Sequence, residues 1–175
     1  MRLTVSATVV GVLVGLGGAQ LAAQEPRAEL QGVVDGRAEV WHVVDLGSGN
    51  GSYWADMGTL HEITVFAFPD ADGLRLEGAL EFSLTLDNRE DPMRVIGAQV
   101  TYFPEDGPHP FAVPPAAQAR VAVEMAATDV SGGQIRLRGR LATPLQRVVD
   151  PAGSAFDAED TIEIELDFDL SVDRL

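Results

Sequence analysis

Residues 161–173 read TIEIELDFDLSVD, in which Ile162, Ile164, Leu166, Phe168, Leu170 and Val172 alternate without a break with Glu163, Glu165, Asp167, Asp169, Ser171 and Asp173. A period of two places one set of side chains in a core and the other in water, so this segment is a β-strand with a dry face and a charged face. Residues 74–86 repeat the pattern, with Leu74, Leu76, Leu80, Phe82, Leu84 and Leu86 on one side and Arg75, Glu77, Glu81, Ser83 and Thr85 on the other. Residues 134–143 set Ile135, Leu137, Gly139 and Leu141 inward and Arg136, Arg138 and Arg140 outward. That positive stripe has the same spacing as the negative stripe of 161–173. Opposite charges across a ladder favour pairing, so the two segments are expected to be antiparallel neighbours with these faces in water.

Working outward, residues 30–34 and 37–44 flank Asp35-Gly36, a two-residue hairpin signal. Residues 60–68 end at Pro69 and the turn Asp70-Ala71-Asp72-Gly73, and residues 94–103 put Ile96, Ala98, Val100 and Tyr102 on one side. Residues 119–128 alternate Val121, Val123 and Met125 in a composition that would equally suit a helix; strands on both sides decide for a strand. The expected fold is all-β, an antiparallel β-sandwich of about eight strands, with a closed up-and-down β-barrel as the alternative. An outer-membrane barrel would need aromatic girdles at both interfaces, and aromatic residues are only 6% of the chain.

Composition removes many chemistries. The chain has 175 residues with 12 basic side chains, all arginine, against 27 acidic ones, a formal charge of −15, and it has neither lysine nor cysteine. Schiff-base and P-loop lysines, thiol nucleophiles, cysteine-held metals and disulfides are all excluded. The acidic balance repels phosphate backbones, so no nucleic-acid partner is expected. No motif names a reaction, and the chain is read as non-enzymatic.

The N-terminus has the layout of an export signal: Met1-Arg2, an apolar run to about Leu16, then Ala19, Ala22 and Ala23 before Gln24-Glu25-Pro26. Cleavage is expected after Ala23, with Ala19 as the alternative. Residues 1–23 are then a signal peptide and 24–175 a single all-β domain, periplasmic or secreted, with no stable membrane span once the signal is removed. The apolar run is short and interrupted by glycine for a membrane anchor.

Several constellations were weighed as sites. The run Asp45 to Ser52 carries Gly47, Gly49 and Gly51, but no helix pattern follows, so it reads as a loop rather than a phosphate cradle. His42, His61 and His109 would need three separate segments to converge on a zinc ion. Loop carboxylates are the hard oxygen ligands calcium takes, which makes Asp70 and Asp72, then Asp87, Glu90 and Asp91, then Asp157 and Asp160, calcium candidates; solvated turn residues are the plain alternative. The connection 104–118 is long for a compact β domain and holds five prolines with His109 and Phe111. Two readings of it stay open: His109 and Phe111 exposed or half exposed as a ligand-binding surface, or Phe111 buried as a cap on the core.

The Gly32–Gly36 hairpin, Trp41, the stretch VTYFPEDG at Val100–Gly107 and the G-x-L-x-x-x-L pattern at Gly139–Leu145 resemble small exported all-β proteins of Gram-negative bacteria without assigned function. That resemblance implies no catalytic residues. The expected function is an exported non-catalytic binding or structural module for a protein or carbohydrate ligand. The alternatives are a calcium-dependent carbohydrate- or surface-binding domain, a carboxylate-pair hydrolase and a small outer-membrane barrel.

Overall fold

The computed structural model describes residues 28–44, 51–73, 75–150 and 152–175. The expected signal peptide and most of the glycine-rich run at 45–52 lie outside these residues. Ten strands follow one another as β1 (Ala28–Val34), β2 (Arg37–Val43), β3 (Tyr53–Asp56), β4 (Leu60–Phe68), β5 (Leu80–Asp87), β6 (Arg94–Tyr102), β7 (Phe111–Ala112), β8 (Ala122–Ser131), β9 (Gln134–Val148) and β10 (Phe156–Asp173), with one 3-10 turn at Pro115–Arg120. All strand pairings are antiparallel.

The ten strands form one sheet in the order β10-β1-β2-β4-β5-β6-β7-β9-β8, with β3 on β4 and β9 also on β10; its two halves, β8-β9-β10-β1-β2 and β3-β4-β5-β6-β7, are named the first and second layers. Two short ladders join them: His42↔Phe68 and Val43↔Ala67 link β2 to β4, and Phe111↔Arg147 and Ala112↔Gln146 link β7 to β9. The hydrogen-bonded path therefore closes on itself through β9 and β10, as a barrel's does, and the all-β fold is sandwich- or barrel-like. Phe82 on β5 and Phe168 on β10 meet across the interior, ring centroids 5.6 Å apart. Around them lie Leu84, Val100, Leu137, Leu141, Ile164 and Leu166, all buried. Each such side chain contributes about 1.5–3 kcal/mol relative to exposure.

The expected β9–β10 pairing is present. Its ladder runs from Phe156↔Val148 to Asp173↔Gln134 and puts Asp169 opposite Arg138 and Asp167 opposite Arg140. Arg136 bonds diagonally to Asp169 at 3.0 Å, and Arg140 bonds to Asp167 at 3.1 Å. Apolar side chains fill the interior and charged ones face outward on this hairpin, the reverse of an outer-membrane barrel. Among the described residues no helix is long and apolar enough to cross a membrane. The Asp35-Gly36 hairpin also forms as read, with φ of 48° and 78° at its two central residues, as a type I′ turn requires. Gly139 is needed for another reason: a Cβ there would lie 2.5 Å from the Glu124 carbonyl and 2.9 Å from the Phe168 ring.

Some boundaries differ from expectation. The strand expected at 74–86 begins only at Leu80, because position 78, where an inward side chain was due, is a glycine with φ of 82°. Its carbonyl accepts the Trp41 indole N–H at 2.7 Å, and Leu76 is 54% exposed. The strand at 119–128 shifts to Ala122–Ser131 behind the 3-10 turn, and none of its residues is fully buried, as befits a strand paired on one side only. β9 runs on to Val148, and the short strands β3 and β7 complete the second layer.

Candidate functional site

The acidic loops do not converge. Asp70 pairs with Arg75 at 2.9 Å, Glu90 pairs with Arg94 at 3.5 Å, and Asp160 accepts the Arg147 Nε–H at 2.5 Å. Asp157 accepts the Glu159 backbone N–H at 2.9 Å, while Asp72 and Asp91 are exposed in their turns. Asp87 is only 2% exposed and accepts from Arg89 Nε at 2.9 Å and Nη2 at 2.5 Å, with Arg94 at 3.8 Å. The Arg89 hydrogen bonds hold its carboxyl far below the usual carboxylate range. Its oxygens serve an ion pair that closes the β5–β6 loop. Among the described residues no three His, Asp or Glu side chains are grouped to hold a metal. The histidines are equally dispersed: His42 faces Glu29, while His61 packs edge-on to Trp54 and faces Asp56.

In the loop at 104–118 Phe111 takes the buried one of the two forms. Phe111 is 3% exposed and belongs to the main core, with the Arg147 guanidinium over its ring at 4.1 Å. It is the cap, not the contact residue, because β7 turns it inward at the junction of the two layers. His109 is half buried; its carbonyl accepts from Arg147 Nη1 at 3.2 Å, and its side chain lines a surface depression.

That depression belongs to a larger feature on the outer face of the second layer. On the first layer, two outward ion pairs, Arg136–Asp169 and Arg140–Asp167, cross the β9–β10 hairpin. On the second layer, the register lines up Tyr53, Thr64, Ser83 and Gln99 in one row and Phe66, Glu81 and Thr101 in the next. None of Ser83, Gln99, Glu81 and Thr101 has a side-chain hydrogen bond to another described residue. The surface is sunken: Thr64 points outward yet is only 7% exposed. One wall rises where Phe68, Val44 and Ala79 form a small second cluster against Phe66 and Phe103.

Two depressions of about 670 and 470 Å³ meet at Gln99, which lines both. These are volumes a ligand of moderate size occupies. Tyr53, Phe66 and Leu76 stand at one end, and Pro108, His109 and Phe156 at the other. From β3 to β7 the groove crosses four interstrand intervals, roughly 19 Å. Its acidic groups are Glu62, Glu81 and Asp150, and no arginine lines it. Burial pushes the Glu81 carboxyl up, whereas Asp150 is held low by the N–H of Ala155 and the hydroxyl of Ser154, each at 2.7 Å.

Of these residues only His109 was singled out from the sequence. The signal for the others lay in β4, which carries apolar side chains at both parities, Ile63, Val65 and Ala67 on one face and Phe66 and Phe68 on the other. A strand of that kind is covered on both sides. Ser83, Thr85, Gln99 and Thr101 gave a second signal, being uncharged where the outward residues of 161–173 are nearly all charged. No protein-family model, curated protein or solved structure matches the chain, so its chemistry is read from these residues.

Proposed function

We propose that the chain is a non-catalytic binding module, exported to the periplasm or beyond, that recognises its ligand on the outer face of the second layer. The carrying observation is that Ser83, Gln99, Glu81 and Thr101, set side by side by the register on a sunken face, have no side-chain hydrogen-bond partner among the described residues, and that two depressions meet at Gln99. A groove with a few convergent polar groups and apolar walls is the form a ligand site takes. The non-catalytic reading is supported by Ser83, whose hydroxyl has no imidazole or carboxylate bonded to it among the described residues, as an activated nucleophile would. Export is supported by the order of residues 1–26 alone.

Amide chemical shifts of the isotope-labelled domain, recorded while neutral oligosaccharides, basic peptides and small amines are added in turn, test the site. One of these classes should move the signals of Tyr53, Phe66, Ser83 and Gln99 together. Shifts confined to the Arg136–Asp169 face, or none with any class, overturn the proposal.

A further inference from the structure

We infer that the occupant of this groove is an uncharged carbohydrate chain lying across the strands from Tyr53 to His109, an assignment that rests on the binding-module reading above. Three features of the lining select this class. The first is the set of polar groups: the Gln99 amide and the Ser83 and Thr101 hydroxyls both donate and accept, and the Glu81 carboxylate accepts from two hydroxyls at once. Adjacent hydroxyls on a sugar ring present complementary pairs of this kind. The second is the rings. Tyr53 and Phe66 at one end and Phe156 at the other offer apolar surfaces to the C–H faces of sugars, while the polar groups lie between them.

The third is charge. Phosphates, sulfates and uronic acids would meet Glu62, Glu81 and Asp150 with no arginine in the lining, so anionic chains are disfavoured. A basic peptide is the rival, but the carboxylates are poorly placed for one. Asp150 already accepts three hydrogen bonds from its own loop, so Glu62 and Glu81 are the two carboxylates left for a row of cationic side chains. The hydrogen-bonding and ring contacts named above involve no metal, so the assignment takes binding to be independent of calcium. A groove of roughly 19 Å spans about four sugar rings, so a chain, not a monosaccharide, fills it.

Calorimetric titration of the domain with cello-, xylo-, manno- and malto-oligosaccharides of increasing length, in chelator, tests this. At least one series should bind, with affinity rising to about the tetramer and then levelling as the groove fills. Gln99→Ala, at an exposed position, should weaken that binding about tenfold by removing one hydrogen-bonding partner, with the melting temperature unchanged. Tyr53→Ala should weaken it by a similar factor. If hexalysine moves the groove signals and no neutral series binds, the carbohydrate assignment is overturned while the binding module stands. If neither binds there, both fall. Binding that vanishes in chelator also overturns the assignment.

Discussion

Replacing Phe111 by alanine tests the placement of the 104–118 loop. The side chain is 3% exposed, sits in the main cluster with Val100 and Leu145, and carries the Arg147 guanidinium 4.1 Å above its ring. Truncating a fully buried phenylalanine costs about 3–5 kcal/mol, through lost transfer energy and the cavity left behind. Loss of the cation–π contact adds at most about 1 kcal/mol, because Arg147 is partly solvated. For a domain with roughly 5–15 kcal/mol to lose, the urea midpoint should fall by about a fifth or more. Phe111→Leu, which keeps most of the volume, should cost under about 1.5 kcal/mol and rank between the two. The assay is equilibrium urea unfolding followed by tryptophan fluorescence, with the slope checked for constancy. A Phe111→Ala midpoint within about 0.5 kcal/mol of the parent, as for an ordinary surface change, would refute the cap and restore Phe111 as a contact residue.

Three further outcomes follow from the ion pairs and the N-terminus. Because the Asp87 carboxyl is depressed in the folded state, its contribution to stability is full above the unfolded pKa of about 3.9 and is lost as pH falls below that toward the native value. Urea midpoints between pH 5 and 2 should therefore fall less steeply for Asp87→Asn than for the parent, and equal slopes would contradict the pairing. Arg136→Glu removes the bond to Asp169 and sets like charges together, so it should cost about 1 kcal/mol at low ionic strength and distinctly less at high salt; a loss independent of salt would count against an electrostatic origin. Intact mass of the protein recovered from an exporting host should lack residues 1–23, and a full-length soluble product would sink the export proposal.

The legibility of this chain follows its charges. On β9 Gln134, Arg136, Arg138 and Arg140 face outward, and from residue 161 on every outward residue of β10 is polar and most are charged, so alternation, partner and direction could all be read from residues 134–143 and 161–173. The second layer was harder. Its strands were found, but a half-buried outer face weakens alternation, and Phe66 and Phe68 looked like further core. β3 and β7 are too short for any period to be visible; their positions are set by neighbours far apart in sequence, Tyr53 by Thr64 and Phe111 by Tyr102 and Arg147. The arginine partners of Asp70, Asp87, Glu90 and Asp160 were not read from the sequence, because a pairing depends on where the backbone sets both side chains. The groove was invisible for the same reason: it is assembled across β3 to β7 and the loops beside them, and no local pattern encodes it.

The central claim is that recognition belongs to the outer face of the second layer and not to the charged face of the first. Its most direct measurement is a side-by-side titration of the parent, Gln99→Arg and Glu165→Arg with the neutral hexasaccharide that binds best, each variant first shown to unfold at the parent's temperature. Arginine at position 99 fills the junction of the two depressions, whereas position 165 lies on the opposite outer face. The expected result is at least about a tenfold loss for Gln99→Arg with Glu165→Arg within about twofold of the parent. Equal losses, or a loss confined to Glu165→Arg, would contradict the claim.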